Sequence, residues 1–234
     1  TGDVGLGSGA RGTAMTTGTD NVAIGENALD AFTTGSNNTA VGDNAGGAIT
    51  TANANTAIGN AALSTATTGA TNTDIGAEAL QLNTTGDSNV AVGYQALEEN
   101  TTASNNVAVG SLALTANTTG TDNVAVGQST LDANTTGASN TAIGDNALGA
   151  NTTASNNTAV GASALLANTT GTQNVAVGSL AADAITTGNY NTAIGYGSLT
   201  SATTASNNTG VGRASLNENT SGTENVAVGA ESLE

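Results

Sequence analysis

Side chains able to carry acid–base or nucleophilic chemistry are scarce in this chain. It has no Cys, His or Lys, and 18 acidic residues face two cations, Arg11 and Arg213. The usual general bases and activated nucleophiles are therefore missing, and a carboxylate pair is the one enzymatic constellation left. The carboxylates, among them Glu26, Asp43, Glu78, Glu98 and Asp132, stand at variable positions, as residues of a solvated outer face do. The chain reads as non-enzymatic, with no cofactor.

Three patterns could bind or be modified. Asp-Asn pairs recur at Asp20-Asn21, Asp43-Asn44, Asp122-Asn123 and Asp145-Asn146, where carboxylate and amide oxygens could ligate Ca2+. They fall at two different places in the repeat and match no Gly-Gly-x-Gly-x-Asp loop, so turn formation is favoured over calcium. Asn-Thr-Thr recurs at Asn83, Asn100, Asn117, Asn134, Asn151 and Asn168, each a formal glycosylation acceptor. Met15, Phe32, Ile49, Ala66, Ile185 and Ala202 fill the same slot elsewhere, which favours a turn role for the Asn. Tyr94, Tyr190 and Tyr196 are three of four aromatic residues and could stack on a glycan. A net charge of -16 excludes nucleic acid and anionic membrane surfaces as partners, because both need clustered Lys and Arg. No apolar stretch approaches the ~18 residues of a membrane span.

What positions these residues is a repeat. Asn, Val or Thr, a small residue, Ile or Val, and Gly recur 13 times at a spacing of 17, from Asn21–Gly25 to Asn225–Gly229, with no insertion or deletion. A period that never slips means that each unit stacks on its neighbour in one register. Residues 21–234 read as thirteen coils, the last one truncated, and residues 1–20 as a degenerate first coil or cap around Asp3, Val4, Gly5, Leu6 and Gly7. Thr1 follows no secretory signal, so the chain is expected to be processed or cut.

Residues 21–37 serve as the type unit. The near-invariant Gly, the β-branched residues and a Thr-Thr-Gly turn all oppose helix, so short strands are expected. In the motif, Val22 and Ile24 point to one side of a strand, Ala23 and Gly25 to the other. Position 24 is Ile or Val in every copy, which places that side against apolar packing; the Ala/Gly side is small enough for another backbone to approach. A second strand is expected over residues 27–31, with Leu29 packed inside. Ladders of Asn, Ile/Val, Gly and Leu should run along the axis, as at Asn21, Ile24, Gly25 and Leu29, at Asn89, Val92, Gly93 and Leu97, and at Asn123, Val126, Gly127 and Leu131, with stacked Asn amides bonded to one another. The fold class is all-β, a parallel β-solenoid of stacked 17-residue coils.

One unit buries about two large aliphatic side chains, worth roughly 3 to 6 kcal/mol, against a backbone entropy cost of about 1 to 2 kcal/mol per residue. Association between chains through the Ala/Gly face is therefore expected. The break after Glu234, ten residues into a unit, adds head-to-tail stacking into a filament as a second mode.

The motif Asn89-Val90-Ala91-Val92-Gly93-Tyr94-Gln95-Ala96-Leu97 resembles the head repeats of trimeric autotransporter adhesins, and similar repeats occur in phage tail fibres. The resemblance covers residues 21–234. It implies a left-handed parallel β-roll, a side-by-side homotrimer and attachment to a host glycan or protein receptor at a cell or virion surface. The expected function is an extracellular structural and adhesive rod without membrane insertion in this segment. A self-assembling filament subunit is the alternative. An ice- or crystal-binding solenoid using Thr ladders from Thr16 and Thr17 onward is a further one.

Overall fold

The computed structural model describes residues 2–11 and 17–233. Met15, Thr16 and Glu234 lie outside the described residues, as does part of the proposed first coil. By contacts the chain divides into two units, Thr1–Thr119 and Gly120–Glu234. The first holds β1 Val4–Leu6, β2 Val22–Ile24, β3 Thr39–Val41, β4 Thr56–Ile58, β5 Thr73–Ile75, β6 Val90–Val92 and β7 Val107–Val109. The second holds β8 Val124–Val126, β9 Thr141–Ile143, β10 Thr158–Val160, β11 Val175–Val177, β12 Thr192–Ile194, β13 Thr209–Val211 and β14 Val226–Val228. Within each unit consecutive strands pair in parallel, each residue beside its equivalent one coil on, as Val22 lies beside Thr39 and Thr158 beside Val175. No helix occurs among the described residues. The architecture is the expected parallel β-solenoid, and it is all-β.

The first strand was legible as a worn copy of the motif, and it pairs as one: Val4, Gly5 and Leu6 lie beside Val22, Ala23 and Ile24. Asp3 stands where later coils carry Asn. Its Oδ1 accepts hydrogen bonds from Asn21 N at 2.8 Å and Asn21 Nδ2 at 3.0 Å, the role an Asn oxygen plays elsewhere.

The expected second strand over residues 27–31 is absent, and a turn occupies that side of the coil. Asn27 and Leu29 take φ of 53° and 52°, and their equivalents in later coils do the same. A left-handed residue at every second position curls the chain, so Ala28 and Leu29 both point inward, each fully buried. Strand alternation would have sent them to opposite sides. The turn still stacks on its neighbours: Leu29 N donates to Ala45 O at 3.1 Å, and Asn44 N to Glu26 O at 2.8 Å. These bonds and the burial of Leu hold a backbone conformation that Leu ordinarily avoids.

The inside of the coil corrects the reading of the strand as well. Ala23, Ala40, Ala57, Ala91 and Ala108 are buried, whereas Ile24 and its equivalents lie on the outer surface. The reason is width. Leu29 and the residue three places on fill the interior from the opposite wall, and a branched side chain on the strand would collide with them. The Ala column is therefore the coil's own core, and the small-residue side is not a face for a second chain.

The Leu slot and the slot three residues later share one volume. Where Leu is replaced by Gly46 or Ala182, Ile49 and Ile185 stand three residues on, both buried, and a Cβ added to Gly46 would meet Ile49 Cδ1 at 3.0 Å. Elsewhere that slot is mostly Asn. Asn100 Nδ2 donates to Asn83 Oδ1 at 3.0 Å and to Ala103 O at 3.0 Å, and Asn151 Nδ2 likewise to Asn134 Oδ1 at 2.8 Å. The row stops where Ile185 follows Asn168, whose Oδ1 is left without a partner.

A similar coupling occurs at Gly210, which replaces the inward Ala. Ser198 Oγ lies 2.9 Å from Ser215 Oγ and donates to Gly210 O at 3.1 Å, all three residues being buried. A Cβ on Gly210 would sit 2.6 Å from Ser198 Oγ and 2.9 Å from Ser215 Oγ. Gly210→Ala is expected to cost about 1 to 3 kcal/mol in denaturant titration. The triple variant with Ser198→Ala and Ser215→Ala restores the Ala packing of other coils and should return stability close to that of the parent.

Candidate functional site

The outer side of the strands carries two columns in register. Position 22 and its equivalents alternate between Val and Thr, and position 24 and its equivalents between Ile and Val. Neither column carries a charge in any copy. Backbone pairing consumes the strand amides and carbonyls, so what remains on this face is side chain, β-branched and stiff at χ1. Ile24, Ile58 and Ile75 in the first unit are 38%, 37% and 39% exposed, and Ile143 and Ile194 in the second 40% and 39%. Large aliphatic side chains stacked at the ~4.8 Å spacing of a parallel sheet make a continuous apolar strip within each unit.

The sequence reading had placed these columns on the inner side. Ile24, Val92 and Val126 were read as inner packing, and each lies on this outer strip, Val92 and Val126 half-buried. The uniform absence of charge at both columns was the available signal. It does not distinguish an inner β-branched column from an outer one that awaits a partner.

The other ladder residues lie inside. Asn21, Asn89, Asn123, Leu29, Leu97 and Leu131 are fully buried. Within each unit the Asn amides form a chain: Asn55 N and Nδ2 donate to Asn38 Oδ1 at 3.0 and 3.2 Å, while Asn55 Nδ2 also reaches Gly69 O at 2.9 Å across the corner. Gly25, Gly93 and Gly127 take φ of 134°, 138° and 138° at the corner after the strand, where only glycine is at ease.

Tyr94, Tyr190 and Tyr196 are exposed, and the last two flank β12 at its two ends. The six Asn-Thr-Thr acceptors are fully buried, so no glycan can sit on them in the folded coil. Asp20 and Asp122 take left-handed φ at one corner of the coil. Asp43 and Asp145 sit exposed at another. Among the described residues no three acidic side chains converge as a metal cage would require. Of the paired Thr rows, the first is tied down: the hydroxyls of Thr50, Thr84 and Thr186 donate to the carbonyls of Thr67, Thr101 and Thr203 at 3.1, 2.9 and 3.0 Å. The second row, with Thr34 and Thr102, is exposed but single. A flat two-row Thr array of the kind an ice-binding surface needs does not form there. No helix among the described residues is long and apolar enough to cross a membrane. No family model matches the chain, and no curated protein matches it.

Proposed function

We propose that the chain is a non-enzymatic structural and adhesive element of a cell or virion surface, and that it self-associates side by side through the outer Val/Thr and Ile/Val columns. The observation that carries this reading is the uncharged β-branched strip on the outer side of the strands of both units, its isoleucines exposed and most of its valines half-buried. Strips of this kind on soluble proteins mark interaction surfaces. Because all copies carry the same columns in the same register, a second and third copy of the chain offer matching surface, and the resemblance to adhesin heads favours three. The variable corner positions, including Tyr94, Tyr190 and Tyr196, then face outward as repeated weak contacts for a glycan or protein receptor. Many such contacts give avidity without any deep pocket.

Native mass at low concentration tests the assembly. The parent chain is expected to run at three times its 22.2 kDa. The double variant Ile58→Glu and Ile143→Glu brings charges together on the strip and should run as a monomer with an unchanged far-ultraviolet dichroism spectrum. Immobilised parent chain should retain receptor-coated particles that the monomeric variant releases. A parent monomer, or an oligomer indifferent to the Glu substitutions, would remove this reading; open-ended assemblies would turn it toward a filament subunit.

A further inference from the structure

The inward Ala column of the first unit is replaced by Gly5 in β1 and, in the middle of β5, by Asp74, its one charged member. Its Cα pairs with Ala57 of β4 and Ala91 of β6, so the carboxylate occupies a space that neighbouring coils fill with a methyl group. Asp74 is 0% exposed, and neither Oδ1 nor Oδ2 has a hydrogen-bond partner. An ionised carboxylate in such a place has lost its water and gained nothing in exchange.

No charge compensates it. The strands packed on either side, Thr56–Ile58 and Val90–Val92, contain no ionisable group. The buried side chains from the facing turn are Ala62, Leu63, Ala79, Leu80, Ala96 and Leu97. Asn55, Asn72 and Asn89 are neutral amides already engaged with one another along their ladder. The carboxylates of the surrounding coils, Asp43, Glu78, Asp87, Glu98 and Glu99, are exposed or half-buried, and like charges would only oppose ionisation further. Both cations of the chain are accounted for at other coils: Arg11 lies 3.9 Å from Asp3, and Arg213 pairs with Glu231.

We propose that Asp74 is a pH-sensitive latch in the first unit: protonated, it leaves the β4–β5–β6 stack closed, and ionised, it opens that stack locally. Burial alone pushes its proton affinity well above that of an ordinary carboxyl. The folded coil therefore binds the proton more tightly than the unfolded chain does. Stability from this group is full below the unfolded carboxyl range, near pH 4, and is lost as pH rises toward the folded value. Acid closes the latch, contrary to the usual acid lability of paired carboxylates. A chain that is tightest in acid and loosens as pH rises would, on the surface role proposed above, couple its assembly or receptor display to the acidity around it.

Hydrogen exchange at the β5 amides, compared between the parent chain and Asp74→Ala, tests this. Alanine is the residue of that column in most coils, so the variant is expected to fold. The ratio of opening constants, parent over variant, should rise about tenfold per pH unit between the unfolded and folded carboxyl values. Amides of β10 and β11 in the second unit should show a ratio near one throughout. Asp74→Asn, which removes the charge and keeps the shape, should also lose the pH dependence. Identical pH profiles for parent and Asp74→Ala at β5 would overturn the latch; so would a pH dependence that persists in both variants.

Discussion

Replacing Gly127 by valine is expected to abolish cooperative melting of the second unit, or to lower its stability by on the order of 4 kcal/mol. Two independent effects act at that position. Its φ of 138° lies in a region that a β-branched residue does not enter without strain. A Cβ there would also stand 2.6 Å from Gly144 O and 2.7 Å from Thr130 Oγ1, so the next coil would have to move away. Separating the coils breaks the bond from Gly144 N to Val126 O, 2.8 Å long, and disturbs those on either side of it. Gln128, the next residue, is exposed, and Gln128→Val should change stability by no more than about 0.5 kcal/mol. Thermal melts of the two variants separate the corner geometry from a general intolerance of valine.

Loss of one Asn from the inner ladder is expected to rank second, at about 3 kcal/mol for Asn157→Ala. Asn157 N donates to Asn140 Oδ1 at 3.0 Å, its Nδ2 donates to Gly171 O at 2.9 Å, and its Oδ1 accepts from Asn174 N at 2.9 Å. Alanine keeps the first bond and leaves the buried amide of Asn174 unpaired, with no water to replace the lost partner, while Gly171 O loses one of two donors and keeps Asn168 Nδ2 at 2.9 Å. Asn157→Asp is the informative comparison. It keeps the acceptor, as Asp3 does beneath Asn21, but forfeits the donor to Gly171 O and buries a charge. It should therefore be as destabilised as Asn157→Ala at neutral pH and regain stability in acid, where the carboxyl is protonated. Urea titrations at two pH values decide between these outcomes.

Much of the fold was legible because the repeat is unforgiving. Invariant Asn and Gly at fixed spacing mark positions where an amide must bridge to the next coil and where the backbone must turn left-handed. The first coil could be recognised from Val4, Gly5 and Leu6 even though Asp3 replaces its Asn. Two features stayed hidden for physical reasons. Left-handed Asn27 and Leu29 put consecutive residues on one side, and no period of two or 3.6 describes that pattern. The inside and outside of a three-residue strand could not be assigned either, since Val-Ala-Ile is apolar on both sides. Of the candidate site, the chemistry of the columns was readable, and their exposure was not.

The absence of cysteine allows the central claim to be tested directly. Single cysteines placed at Ile143 on the outer strip and at the exposed corner residue Asp145 can be oxidised in the assembled protein and run on a denaturing gel. Disulfide-linked pairs of chains from Ile143→Cys, with none from Asp145→Cys, are the predicted result. Cross-linking at the corner and none on the strip would contradict the account.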